Sequence, residues 1–147
     1  MGERKYLPNC AELMDRLCIV TLKSIKLGCK DPNKKKAFEE EAQEIMHDIN
    51  LIMIKDKNKV KDWGKLIRAI QVGMLTNETI WANETLARQG GPEQNKLLPF
   101  THSVNGMRMR AGNAIINQLG GRKDLNLDRV NDKISEERGY DWNGLFE

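Results

Sequence analysis

Residues 38–52 read Phe38-Glu39-Glu40-Glu41-Ala42-Gln43-Glu44-Ile45-Met46-His47-Asp48-Ile49-Asn50-Leu51-Ile52. Phe38, Ala42, Ile45, Ile49 and Ile52 step by four, three, four and three, the spacing that aligns side chains along one stripe of an α-helix. Glu39, Glu40, Glu41, Glu44 and Asp48 fall mostly outside that stripe. The segment is an amphipathic helix with one narrow apolar seam, which it can bury only against other elements. Asp31-Pro32 marks its start: aspartate caps, and proline at the first helical position gives up an amide that would lack a partner anyway.

The same spacing extends in both directions. Upstream, Asn9 followed three residues later by Glu12 resembles a capping box, and Met14, Leu17, Cys18, Thr21 and Ile25 continue at helical steps. A helix over about residues 10–27 is expected, closed by Gly28 in the left-handed conformation. Downstream, the lysine-rich stretch from Lys55 to Lys61 interrupts the pattern. A longer helix resumes near Asp62 with the seam Trp63, Ile67, Ile70, Met74, Asn77, Trp81 and Glu84, and stops at Gly90-Gly91-Pro92. Pro99 opens a fourth helix carrying Phe100, Val104, Met107 or Arg108, Ala111 and Ile115, which Gly120-Gly121 ends. The remainder holds a short helix marked by Leu127, Val130 and Ile134, then Tyr140, Trp142, Leu145 and Phe146. Short connections make neighbouring helices antiparallel. The expected fold is all-α: an up-and-down bundle of about four helices over residues 1–121. An extension over residues 122–147 docks on the bundle or on a neighbouring subunit.

Composition narrows the function classes. A chain of 147 residues is the common size of one domain and needs no disulfide or metal to hold its core. Its net charge of +3 comes from 24 basic against 21 acidic side chains, which argues against duplex nucleic acid as a partner. Lys30, Lys34, Lys35 and Lys36, and then Lys55, Lys57, Lys59, Lys61 and Lys65, read as solvated connecting surface. Three cysteines, Cys10, Cys18 and Cys29, lack paired metal spacing and fit a reducing compartment. Neither a signal peptide nor a membrane span is readable, so a cytoplasmic protein is expected. Asn77-Glu78-Thr79 and Asn83-Glu84-Thr85 then have no meaning as glycosylation triplets.

No catalytic motif emerges. Glu44 and His47 are spaced like one unit of a di-iron bundle, but the other histidine, His102, has Pro99 where the paired glutamate belongs. Glu40, Glu41 and Glu44 resemble half of the acidic signature of all-helical nucleotide pyrophosphohydrolases, with Glu78 and Glu84 beside Asn77 and Asn83 as imperfect partners. His47-Asp48 lacks the earlier histidine that metal phosphohydrolases require. Neither a Walker loop nor a nucleophile with its base is present. No catalytic residue, metal ligand or cofactor is therefore assigned.

What remains is polar material at core spacing: Asn77, Trp81 and Glu84 on the third helix, and Asn105, Arg108, Gly112 and Asn113 on the fourth. Burying such groups unpaired costs about 1–3 kcal/mol each, so they pair internally, for example Glu84 with Arg108, or they line a pocket. In a pocket Arg108 clamps an anion, Trp81 stacks on a ring, and Asn77, Glu84 and Asn105 orient the ligand. Gly73, Gly106 and Gly112 allow close approach. Asp15, Arg16 and Lys23 offer a second charged group from the first helix, or a surface salt bridge.

The run Ala11-Glu12-Leu13-Met14-Asp15-Arg16-Leu17-Cys18-Ile19-Val20-Thr21-Leu22-Lys23, then His47-Asp48-Ile49-Asn50-Leu51-Ile52, then Ile80-Trp81 with Asn83 two positions on, resembles a family of small uncharacterised helical proteins of tailed bacteriophages. The resemblance covers about residues 10–118 and carries no activity with it. It implies a phage setting, hence host cytoplasm, in which small helical oligomers sequester nucleotide immune signals. The expectation is a non-enzymatic, homo-oligomeric protein that binds a small anionic, nucleotide-derived ligand as a counter-defence factor, with no membrane involved. The alternatives are a helical module gripping a host or virion protein through its basic loops or its Tyr140–Phe146 tail, and a magnesium-dependent nucleotide pyrophosphohydrolase.

Overall fold

The computed structural model describes residues 7–91, 94–121 and 130–147; the expectations placed on Pro92 and Leu127 lie outside them. The elements are α1 (Cys10–Lys26), α2 (Pro32–Asp56), a 3-10 turn (Lys57–Lys59), α3 (Trp63–Gln89), α4 (Gln94–Leu119) and α5 (Asp132–Glu137). The fold is all-α, four main helices packed antiparallel with a short C-terminal helix, and no strand occurs among the described residues. Among those residues, no helix is long and apolar enough to cross a membrane.

Local chemistry sets the helix starts. Asn9 Oδ1 accepts from the Glu12 amide at 2.9 Å, Asp31 Oδ1 accepts from the Asn33 and Lys34 amides, and Asp62 Oδ1 accepts from the Lys65 amide at 3.0 Å. Each satisfies an amide that the first helical turn leaves without a carbonyl. Gln118 Oε1 of α4 accepts from the amides of Lys61 and Asp62, which ties the start of α3 to the end of α4. Gly90 and Gly120 end their helices with φ of 75° and 82°. Gly28 does not: its φ is not positive, and it is needed because a Cβ there would lie 2.2 Å from the Ser24 carbonyl oxygen and 2.8 Å from Lys35 Cβ.

The helices form two hairpins, α1 with α2 and α3 with α4, and α1 also packs on α3 and α4. Three apolar clusters hold them. Cys10, Ala11, Leu66, Ala69, Ile115, Ile116 and Leu119 join α1, α3 and α4. Leu13 and Val20 meet Ala42 and Ile45 of α2, with Phe38, Ile49 and Ile52 alongside, so the seam of residues 38–52 faces inward as its spacing requires. Phe100, Val104 and Met107 of α4 receive Trp142 from the C-terminal segment.

Three elements differ from the sequence reading. In α1 the buried positions include Leu13, Val20 and Ser24, whereas Met14, Leu17, Cys18 and Thr21 are half-buried and Ile25 is exposed, because α1 packs on α2 as well as on α3 and α4. Helix α4 begins at Gln94, with Pro99 inside it. Leu97 is buried and draws the preceding turn onto the bundle, while Pro99 sits exposed near the helix start. Helix α3 buries Leu66, Ala69, Thr76 and Asn83, whereas Trp63 and Ile67 remain 51% and 52% exposed. The inward face lies mostly one residue, or about 100°, from the expected seam, of which Asn77 is nevertheless buried. Small residues win because they let α3 and α4 approach closely. Thr76 and Thr79 can be buried there because their hydroxyls donate to the carbonyls of Gly73 and Leu75, both at 2.8 Å.

The C-terminal segment packs on its own chain. Ser103, fully buried on α4, accepts from the Asn131 amide at 2.8 Å and lies 3.0 Å from the Ser135 hydroxyl. Tyr140 stacks on Trp142 with ring centroids 5.1 Å apart and tilts against Phe100 at 5.5 Å.

Candidate functional site

Arg108 projects from α4 at the place where α1 crosses the α3–α4 hairpin. Its Nε donates to Asp15 Oδ1 at 2.8 Å and its Nη2 to Asp15 Oδ2, a two-point clamp across helices. Asn77 of α3 adds a third bond, Nδ2 to Asp15 Oδ1 at 2.9 Å, and also donates to the Gly73 carbonyl at 3.0 Å. One carboxylate thus ties three helices together. Burial pushes the Asp15 carboxyl up, but the bonds from Arg108 and Asn77 and the charges of Arg108 and Arg16 outweigh it, leaving the group below its ordinary range. Arg108 is held above its ordinary value by the Asp15 bond, against the pull of its own burial.

Two cavities meet at this cluster. A chamber of about 300 Å³ lies between α1, α3 and α4. Met14, Cys18, Ile70, Ile115 and Ile116 are among its walls, with Asp15, Asn105 and Arg108 at its polar side. Gly73 and Gly112 also line it, and a Cβ at either would meet nothing within 4 Å. A cleft of about 530 Å³ opens between α3 and α4, lined by Ile80, Asn83, Glu84, Asn95, Thr101 and His102. Asn105 and Arg108 line it too. Among the α4 positions that line the two spaces, 98, 101, 105, 108, 112 and 116 recur at three- and four-residue steps. They therefore lie along one stripe of α4, with Arg108 at the boundary.

Asn83 is the residue the sequence reading missed as a ligand-site candidate. It is 9% exposed, and its Nδ2 is buried with no acceptor among the described residues. Its position follows from the inward face of α3, on which 76, 80 and 83 succeed one another at four- and three-residue steps.

The five residues singled out from spacing are distributed as follows. Glu84, Asn105 and Arg108 share the cleft. Asn77 is buried beside it, bound to Asp15. Trp81 is half-buried and lines neither cavity, because the rotation of α3 turns position 81 away. Glu84 is exposed rather than turned into the core. The internal partner of Arg108 is Asp15, not Glu84, whose charge reaches it only at longer range.

The other candidate chemistry stays dispersed. Glu40, Glu41, Glu44 and His47 are exposed on α2, and Glu78 of α3 is bound to Lys26 at 2.9 Å. Among the described residues, no group of three or more histidine, cysteine, aspartate or glutamate side chains is placed to hold a metal ion. The Cys18 thiol, on the chamber wall, is pushed up by burial and by the Asp15 charge. Compared with known protein families, with curated proteins and with solved structures, the chain matches none.

Proposed function

We propose that this protein is a non-enzymatic binder of a small, nucleotide-like ligand, taken into the α3–α4 cleft by an anionic or carbonyl head group. The observation that carries the reading is the Asn83 amide, buried on the cleft wall without an acceptor among the described residues. An unpaired buried donor costs about 1–3 kcal/mol, and a ligand acceptor would remove that cost once the side chain turns its amide into the cleft. Arg108 supplies a cation beside it, Asn95, Thr101 and Asn105 supply further polar contacts, and Glu84 accepts from a ligand donor. Asp15 already engages Arg108 and Glu84 adds a second carboxylate, so a single phosphate or carbonyl head suits the cleft better than a polyphosphate. In the phage setting implied by the sequence resemblance, such binding would sequester a host nucleotide signal.

Calorimetric titration of adenosine monophosphate into the parent and into Asn83→Leu tests the reading. The variant should bind at least about tenfold more weakly while melting higher, because it removes an unsatisfied donor at similar volume. Equal affinity in the two proteins overturns it. Assembly into a homo-oligomer belongs to the same proposal and is supported by the exposed Trp63 and Ile67 on α3; light scattering on a sizing column reads the subunit number.

A further inference from the structure

The cleft is the more polar of the two spaces, although Ile80, Leu97 and Leu98 also line it, and the chamber on the other side of Arg108 is mostly apolar. Its walls are set by Ala11, Met14, Ile70, Met109, Ile115 and Ile116, and its volume comes from side chains that are not there. Gly73 and Gly112 sit inside α3 and α4, where glycine costs about 1 kcal/mol relative to alanine. In both cases the space a side chain would fill opens into the chamber. The chamber is partly open to solvent, so a ligand can enter it without parting the helices.

We infer that the ligand of this site is amphipathic, with an apolar, planar body seated in the α1–α3–α4 chamber and a single acceptor head in the α3–α4 cleft, Arg108 standing at the junction. The inference rests on the proposed function and deepens it by assigning the ligand's body. Size fits: a cavity of about 150 Å³ lined by apolar side chains takes one benzene ring, and the chamber is about 300 Å³, enough for two fused rings. Polarity fits as well, since Asp15, Asn105 and Arg108 give the chamber a polar side toward the cleft, with Asn9, Glu12 and Asn113 as further polar lining. Arg108 and Asn105 line both spaces, so a molecule spanning them keeps contact with both residues throughout. Met14 and Met109 supply flexible thioethers that can close against an aromatic face.

The experiment compares 1-naphthyl phosphate with inorganic phosphate, two probes that share a phosphate head and differ chiefly in the apolar body, by calorimetry at a pH where both are dianions, on the parent, Gly112→Leu and Asn83→Leu. A Cβ introduced at position 112 or at position 73 meets no obstacle within 4 Å, and Gly73→Ala serves as a milder second variant should Gly112→Leu fold poorly. The parent should bind naphthyl phosphate at least about tenfold more tightly than phosphate, from the apolar area removed from water. Gly112→Leu should erase that gap and leave phosphate binding unchanged. Naphthyl phosphate should also slow alkylation of Cys18, whose side chain lines the chamber. Equal affinity for the two probes in the parent, with both weakened by Asn83→Leu, overturns the chamber assignment and leaves the cleft reading standing. No binding of either probe to any of the proteins overturns both.

Discussion

Replacing Asp15 by leucine and Arg108 by methionine, singly and together, shows whether one ion pair holds α1 against the α3–α4 hairpin. Three hydrogen bonds converge on the Asp15 carboxylate, two from Arg108 and one from Asn77. The two side chains are 31% and 30% exposed, between the surface pairs worth about 0–1 kcal/mol and the buried pairs whose disruption costs about 3–5 kcal/mol. Each single change should cost about 2–3 kcal/mol, because it strands the partner half-buried. For a domain of this size that is a drop of about 6–10 °C in Tm. The double variant removes both charges at once and should cost little more than either single one, giving a coupling of about 2 kcal/mol in the double-mutant cycle. Urea titration followed by circular dichroism supplies all four stabilities. The Asp15 carboxyl is held below its ordinary range in the fold. The pair's contribution is therefore complete above the unfolded aspartate value of about 3.9, and it fades as the pH falls through the lower folded value. The parent should lose its advantage over Asp15→Leu only below about pH 4. Single variants within about 0.5 kcal/mol of the parent, or a coupling near zero, would refute the view that this pair joins the helices.

Further outcomes follow from the packing. Gly112→Ala should raise stability by about 1 kcal/mol, since its Cβ meets open space. Gly28→Ala should lower it by at least about 1 kcal/mol, because its Cβ falls 2.2 Å from the Ser24 carbonyl oxygen; thermal melts of the two separate the effects. In the parent, iodoacetamide at neutral pH should modify exposed Cys29 first. Cys18 and buried Cys10 should react at least about tenfold more slowly, their thiols pushed up by burial and by the charges of Asp15 and Asp56 respectively; mass spectrometry of the peptides reads the order. Ser103→Ala strips the Asn131 amide of its acceptor and should cost about 1–2 kcal/mol. Limited proteolysis should then cut faster within residues 130–147 than in the bundle.

Much of this architecture is written in local sequence. The seam from Phe38 to Ile52 needs only its own periodicity to be recognised, and Asn9, Asp31 and Asp62 cap their helices through atoms two or three residues away. Phe100, Val104, Met107, Ala111 and Ile115 are likewise readable from spacing, and all are buried. Arg108 stands out in the sequence because a charge at core spacing requires a partner. Which partner it takes is a different question, because Asp15 lies 93 residues away and only the crossing of α1 over α3 and α4 brings the two together. The face that α3 buries is also beyond local reading. Periodicity weighted by side-chain size selects Trp63, Ile67 and Trp81, but two helices in close contact favour Ala69 and Thr76, both fully buried. That choice turns Trp81 away from the cleft and Asn83 into it. Helix positions and caps follow from interactions within a few residues, whereas helix rotation and the cavities it leaves depend on how closely separate surfaces can approach, a property that no single segment possesses.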